Sequence, residues 1–315
     1  MIGILGGGAF GTALAVSLAH ERREVRIWAR DTSVFGGRRS ARLPGVELPE
    51  SVSVVGKIDE VSVCDVLLLA LPMQSLGGFL AEHRSELDGR PLVACCKGVD
   101  LVTLRGPTAL INSACPSSVP CVLTGPSFAA DIARGLPTAL TLACSETGAG
   151  EAIQRLLSTG NLRIYRTTDV IGAELGGALK NVIAIACGLA IGAGLGESAR
   201  AALLTRGYAE MLRLSLALGA KAETLAGLSG LGDLVLTCTS EQSRNFRYGH
   251  SLGSGRPFDR SLTVEGVPTA AAVVKLAGAQ GIEMPIAAMV TAMAIGRVTL
   301  DQAVQTLLSR PLKQE

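Results

Sequence analysis

The twelve residues ILGGGAFGTALA, starting at Ile4, constrain this chain more than any other stretch. Gly6, Gly8 and Gly11 satisfy G-x-G-x-x-G directly after the strand-like run IGIL and at the opening of a helix pattern. The three glycines meet different physical demands. Gly6 allows a tight turn, Gly8 lets backbone approach a pyrophosphate, and Gly11 lets a helix pack closely on a strand. Ala9 and Phe10 then fall in a first helical turn whose free N–H groups suit phosphate oxygens. In a chain with 38 glycines such a pattern also arises by chance. Its place at the first strand of an alternating segment favours a Rossmann-type dinucleotide loop over a merely structural turn.

That alternation continues. Strand-like runs start at Ile2, Glu24, Asp65, Pro91, Pro120, Pro137 and Asn161. Helical patterns lie between them near residues 10–20, 74–87, 107–114, 127–134 and 148–158. Several runs are continuously apolar, as strands buried on both faces must be, which predicts a mostly parallel, doubly wound α/β sheet. The runs after Pro120 and Pro137 leave room for antiparallel edge strands. Beyond about Thr168 only helical patterns remain, punctuated at Gly219, Gly253, Gly281 and Gly296. TLDQAVQTLLSR, from Thr299, reads as a short amphipathic helix with Thr299 as N-cap. The boundary falls near 168–178, giving an N-terminal Rossmann domain, 1–172, and a C-terminal all-helical domain, 173–315.

Composition excludes several classes. The chain is 48% hydrophobic and 18% charged, so a large core is expected rather than disorder. A net charge of +2 gives no argument for nucleic acid or a membrane surface. The eight cysteines form no CxxC and the three histidines are scattered, so no metal site is expected. No secretory signal opens the chain, and the cysteines read as small buried hydrophobes in a reducing compartment. From Val182 to Gly196 there are fifteen uncharged residues, fewer than the ~20 that span a bilayer, which predicts a helix buried in protein.

Cofactor choice turns on the end of the second strand, where an acid holds the ribose of NAD and an arginine accommodates the 2′-phosphate of NADP. IWARD offers both Arg30 and Asp31, followed by Arg38, Arg39 and Arg42. The arginines favour NADP, with NAD as an alternative; the bland reading is a solvated basic loop. Reduction of a ketone also needs a proton donor. Only six of the 29 basic residues are lysines, and Lys180 sits alone in the apolar stretch GGALKNVIAIACG. Burial would bring its pKa toward working pH. Local sequence alone leaves catalysis and a snorkelling surface lysine equally open.

A series of motifs in fixed order breaks that tie: the glycine loop, CKGVD around Lys97, LTGPSFAADIARGLPTA from Leu123, LKNVIAIACG from Leu179, LSGLGDLVLTCT from Leu228, QSRNFRYG from Gln242 and VEGVPTA from Val264. Together they resemble bacterial-type NAD(P)-dependent glycerol-3-phosphate dehydrogenase, from residue 2 to about 300. The resemblance implies a cytoplasmic homodimer with a 6-phosphogluconate-dehydrogenase-like architecture. It also implies interconversion of dihydroxyacetone phosphate and sn-glycerol 3-phosphate with NAD(P)H for phospholipid synthesis. By position it implies Lys180 as proton donor and acceptor, with Asp233 beside it and Lys97 near both nicotinamide and substrate. Gly125, Ser127, Asn181 and Thr237 match substrate contacts, and Ser243, Arg244 and Asn245 match a phosphate-binding triplet. Ala129, Arg244 and Glu265 match cofactor contacts.

The chain departs from the family pattern in two places. Phe246 stands where a second basic residue commonly follows the triplet, and the segment between Asp31 and LPGVELP (from Leu43) is short. The nearest rival is a hydroxy-acid or ketopantoate reductase of the same architecture. Its G-x-x-x-K-x-x-x-N motif is met at Gly176 and Lys180 but broken at Ala184. A non-catalytic dinucleotide sensor would need the glycine loop but would have no use for Lys180 and Asp233 together.

Overall fold

All four residues of β1 (Ile2–Leu5) are buried, because helices cover the sheet on both faces. The computed structural model describes residues 1–20 and 23–308. The strands β2 (Val25–Trp28), β3 (Val52–Val55), β4 (Val66–Leu69), β5 (Pro91–Ala94), β6 (Val119–Thr124), β7 (Thr138–Cys144) and β8 (Leu162–Thr167) join β1 in one sheet of order β3-β2-β1-β4-β5-β6-β7-β8. Neighbours run parallel except β6 and β7, where Cys121 faces Cys144 and Thr124 faces Thr141 in antiparallel register. Side chains alternate between faces. On β4, Val66 and Leu68 join one apolar cluster and Leu67 and Leu69 the other.

The helices α1 (Ala9–Ala19), α6 (Ala129–Ala133) and α7 (Thr147–Leu157) fill the first face. On the opposite face lie α2 (Asp59–Ser62), α3 (Met73–Glu82), α4 (Arg84–Leu87) and α5 (Pro107–Ala114). The expected helix over 74–87 is thus two, breaking at His83. Strand β3 has no counterpart among the predicted strands. Its SVSVV stretch is short and half polar because an edge strand exposes one side. β7, by contrast, is interior, so the antiparallel pair does not lie at the sheet edge, which β8 forms.

Helices follow one another after β8: α8 (Val170–Gly192), α9 (Gly196–Ala217), α10 (Ala222–Ala226), a π-turn over Leu228–Gly232, α11 (Asp233–Cys238), α12 (Arg244–Ser254), α13 (Gly266–Ala279), α14 (Pro285–Ala294) and α15 (Leu300–Leu308). Helix α8 organises them. Its N-cap Asp169 accepts from Gly172 N at 2.9 Å and from Lys221 N at 2.8 Å, so one carboxylate starts α8 and anchors the approach to α10. The uncharged stretch from Val182 lies in this 23-residue helix as far as Gly192 and runs on through the turn into the start of α9; the helix is long and apolar enough to cross a membrane but is 83% buried over its most apolar window. It packs against α9, α11, α12, α13 and α14 and also against β6 and β7 of the sheet. Leu179, Val182, Ile183 and Ile185 are at most 1% exposed, and each such burial contributes ~1.5–3 kcal/mol.

Gly219, Gly281 and Gly296 are helix-ending residues with positive φ. Gly253 is not. It lies within α12, where a Cβ would stand 2.2 Å from the Leu189 carbonyl oxygen of α8, so it serves close packing rather than punctuation. Thr299 caps α15 as expected, its hydroxyl accepting from Gln302 N at 3.3 Å. All eight cysteines are buried and unpaired.

Candidate active site

At the C-terminal end of β1 the chain turns through Gly6. Its φ is +128°, and a Cβ there would stand 2.4 Å from the Ala70 carbonyl oxygen, so both conformation and space exclude a side chain. Gly11 is as tightly held: a Cβ there would lie 2.2 Å from the Gly6 oxygen. Gly8 is the opposite case, exposed at the N-cap of α1 with nothing within 4 Å of where its Cβ would stand. Two glycines close the turn and the third opens it. The amides of Ala9, Phe10 and Gly11 head an eleven-residue helix without a side-chain cap, a surface fitted to a pyrophosphate. Ala129 opens α6, which packs against α1.

Beyond β2 the basic loop divides. Arg30 is exposed directly after the strand, and Asp31 accepts from Ser33 N at 2.9 Å as the cap of a short 3-10 turn. Arg38 donates to Leu48 O at 3.1 Å, to Val52 O at 3.3 Å and to Pro49 O, so it holds the LPGVELP segment. Arg39 pairs with Glu47 at 3.6 Å. These two arginines have structural occupations. Arg30 stands at the strand end, where a ribose 2′-phosphate would be read.

The lysines come together from distant parts of the chain. Lys97 follows β5 and Lys180 lies in the middle of α8, yet both bind Asp233, the first residue of α11. Lys180 Nζ donates to Oδ1 at 2.5 Å and Lys97 Nζ to Oδ2 at 2.6 Å. Asp233 is fully buried, delivered there by the π-turn that precedes α11. Lys180 also donates to Thr237 Oγ1 at 2.8 Å, one turn along α11, and Lys97 to the Gly125 carbonyl at 3.2 Å. Ser127 Oγ donates to that same carbonyl at 3.3 Å, tying the TGPSFA turn to the cluster. Burial brings the Lys180 amine down to about 8; Asp233 resists the change and Lys97 adds to it. An amine so tuned exchanges a proton near neutral pH.

The triplet from Ser243 starts α12, which packs along α8. Ser243 is the N-cap, its Oγ accepting from Phe246 N at 3.2 Å, and Arg244 is exposed at the first helical position. Asn245 Nδ2 donates to Asn181 Oδ1 at 2.9 Å and its Oδ1 accepts from Gly266 N at 2.9 Å. The residue after Lys180 is thereby joined to the triplet and to the start of α13. Glu265, next in line, accepts from Met73 N at 3.1 Å at the start of α3. Burial raises its carboxyl, against the Met73 amide, Arg244, Lys97 and Lys180. The arrangement offers a buried proton donor, a paired lysine and a cationic helix start suited to a phosphate dianion.

One residue of this neighbourhood has no place in the sequence-based set. Glu174, on α8 ahead of Lys180, accepts from Thr108 N at 2.7 Å across to α5. It carries the same signal as Lys180, a lone charge in an apolar, glycine-rich helix.

Residues 1–149 match the family model described as NAD-dependent glycerol-3-phosphate dehydrogenase N-terminus, and residues 169–305 match its C-terminus counterpart. The chain is similar to glycerol-3-phosphate dehydrogenase (NAD(P)+) of Cereibacter sphaeroides, 68% identical over all of both chains. The same-named protein of Paracoccus denitrificans is 64% identical over 100% of this chain and 99% of its own. Among solved structures, glycerol-3-phosphate dehydrogenase from Coxiella burnetii superposes with a TM-score of 0.93 at 35% identity, covering 98% of each chain. A ketopantoate reductase from Ralstonia eutropha shares the fold at a TM-score of 0.63 and 14% identity, covering 94% of this chain and 98% of its own. With a glycine cradle, a lysine pair on one buried aspartate and relatives this close over its whole length, the chain belongs to the NAD-dependent glycerol-3-phosphate dehydrogenase family.

Proposed function

We propose that the protein interconverts dihydroxyacetone phosphate and sn-glycerol 3-phosphate with NAD(P)H, using the side chains gathered at Asp233. Gly6, Gly8, Ala9, Phe10 and Gly11 would hold the pyrophosphate, Arg30 the 2′-phosphate of NADP, and Ala129, Lys97, Arg244 and Glu265 complete the cofactor contacts. A bound reduced nicotinamide supplies the hydride. In the reducing direction Lys180 gives its proton to the carbonyl oxygen as that oxygen gains charge, and in the oxidising direction the neutral amine takes it back. Asp233 and Thr237 aim the amine, and Lys97 offers a second positive charge to the developing alkoxide. Ser243, Arg244 and Asn245 bind the phosphate at the α12 N-terminus, while Asn181, Gly125 and Ser127 line the path between.

The observation that carries this reading is Asp233 bonded by both Lys180 and Lys97, with a cationic helix start joined to Asn181 next along α8. A carboxylate substrate of the rival reductases would not require that phosphate-suited end. The test is consumption of NADPH with dihydroxyacetone phosphate, run beside ketopantoate and a 3-oxo acid. The native enzyme should turn over the triose phosphate alone, and Lys180→Ala should lower kcat by roughly 10²–10⁴-fold. Turnover of ketopantoate in its place, or a fully active Lys180→Ala, would defeat the assignment.

The division into residues 1–172 and 173–315, a homodimer and a cytoplasmic setting belong to the same proposal. The change from sheet to helices near α8 supports the first. The resemblance carried by the sequence motifs supports the second, and the eight buried, unpaired cysteines support the third.

A further inference from the structure

One face of α8 carries more than the proton donor. Glu174, Gly177 and Asn181 recur at three- and four-residue spacing, so they share a stripe, with Lys180 at its edge. At one end the Glu174 carboxylate accepts the Thr108 amide at 2.7 Å. Thr108 lies in the first turn of α5, after Pro107, where amides have no partner within the helix. Gly106 completes the socket: a Cβ there would stand 2.2 Å from Glu174 Oε2, so the carboxylate rests directly on backbone. In mid-stripe Gly177 lies under the Lys97 stem, with a Cβ position 3.6 Å from Lys97 Cγ. At the far end Lys180 and Lys97 meet on Asp233.

The segment from Lys97 to Gly106, which ends in this socket, lacks helix and strand. Gln74 ties its first half, donating to Val99 O at 2.9 Å and accepting from Leu101 N at 3.1 Å. Glu174 ties its last residues, at the point where they become α5. The loop that presents Lys97 is therefore held at both ends, once by the nucleotide-binding half and once by α8. Glu174 stands about 9 Å along the helix axis from Lys180, close enough to set how far α8 is rotated and slid against the sheet. Burial raises its carboxyl to about 7, with the Thr108 amide opposing, as expected of an acid kept in place for its bond.

We infer that Glu174 is a positioning residue for the reaction: by capping α5 from α8 it fixes Lys180 relative to Lys97 and to the bound nicotinamide. The inference rests on the reading of Lys180 as proton donor, and it concerns geometry, since Glu174 touches no reacting atom. A displacement of about 1 Å between donor and substrate suffices to cost up to 10²-fold in rate.

Three variants test it. Glu174→Gln keeps the carbonyl acceptor and the length, Glu174→Asp keeps the carboxyl but falls one methylene short of Thr108, and Glu174→Ala removes the acceptor altogether. With dihydroxyacetone phosphate and NADPH, Glu174→Gln should stay within about threefold of native kcat. Glu174→Asp and Glu174→Ala should each lose roughly tenfold or more. The Kd for NADPH, read by fluorescence, should stay within about twofold in all three. If Glu174→Ala does not accumulate as folded protein, the Gln and Asp pair decides. Native kcat in Glu174→Asp, or equal impairment of Gln and Asp, would overturn the inference. So would losses appearing wholly as weaker NADPH binding. An inactive native enzyme or a fully active Lys180→Ala would instead count against the underlying functional reading.

Discussion

Replacing Asp233 by Asn keeps the shape of the site and removes the one negative charge between two lysines. Asp233 is fully buried and its two oxygens take Lys180 at 2.5 Å and Lys97 at 2.6 Å. Breaking a buried ion pair by neutralising one partner costs about 3–5 kcal/mol. Lys180 can escape part of that cost by giving up its proton. If ~3 kcal/mol of lost attraction falls on Lys180, its pKa drops by about two, because 1.36 kcal/mol corresponds to one pKa unit. Starting from about 8, the amine would then titrate near ~6. At about pH 7.5 the protonated fraction would fall from roughly three-quarters to about 3%. With Lys180 as the proposed proton donor, reduction of dihydroxyacetone phosphate draws on the protonated amine, so kcat at that pH should fall about 25-fold. The assay is steady-state NADPH oxidation at saturating substrate, measured from about pH 5 to 9.5 in the native enzyme and in Asp233→Asn. The native rate should decline as pH rises through about 8. The decline in the variant should begin about two pH units lower, with much of the activity regained in acid. A variant that keeps the native midpoint, whatever its absolute rate, would refute the electrostatic argument and leave Asp233 only an orienting role.

Arg244→Ala should raise KM for dihydroxyacetone phosphate by roughly 10–100-fold, the worth of a charge-assisted phosphate contact, and leave NADPH turnover detectable at high substrate. An unchanged kcat/KM would show that the phosphate sits elsewhere. Arg30→Asp should move the ratio of kcat/KM for NADPH and NADH at least about tenfold toward NADH, measured in parallel reductions. No change in that ratio would remove Arg30 as the reader of the 2′-phosphate. Gly11→Ala would push a Cβ to 2.2 Å from the Gly6 oxygen and should weaken NADPH binding more than about tenfold by titration. Gly278→Ala, in open space on α13, should be indistinguishable from native in the same titration.

Those parts of the molecule are legible in the sequence where a local rule has one solution. The glycine loop is of that kind: a strand, a turn with φ of +128° and a helix packed on a carbonyl leave little choice of residue at Gly6 and Gly11. The buried strands announce themselves as apolar runs because helices cover both faces. β3 does not, since an edge strand alternates Val and Ser and resembles a loop. Lys180 stands out as a lone charge in an apolar helix, but spacing alone does not reveal its partner, because Asp233 lies 53 residues away and reaches it through a π-turn. Only family resemblance places the two together ahead of the structure. Glu174 has the same local signature as Lys180 yet stays hidden, because its partner is a backbone amide on another element, for which no sequence motif exists. Gly253 deceives for a related reason: a helix-ending glycine and one pressed against a neighbouring carbonyl look alike in one dimension.

The apolar length of α8 has a consequence for biogenesis. While the ribosome is still adding α9, nothing yet covers the side of α8 that α11 to α14 will occupy. A stretch with the mean hydropathy of a membrane anchor is then bare for the time it takes to make roughly a hundred further residues. A chain truncated within that interval would present this segment to chaperones, lipid or other nascent chains, and its fate would be decided by which of them arrives first.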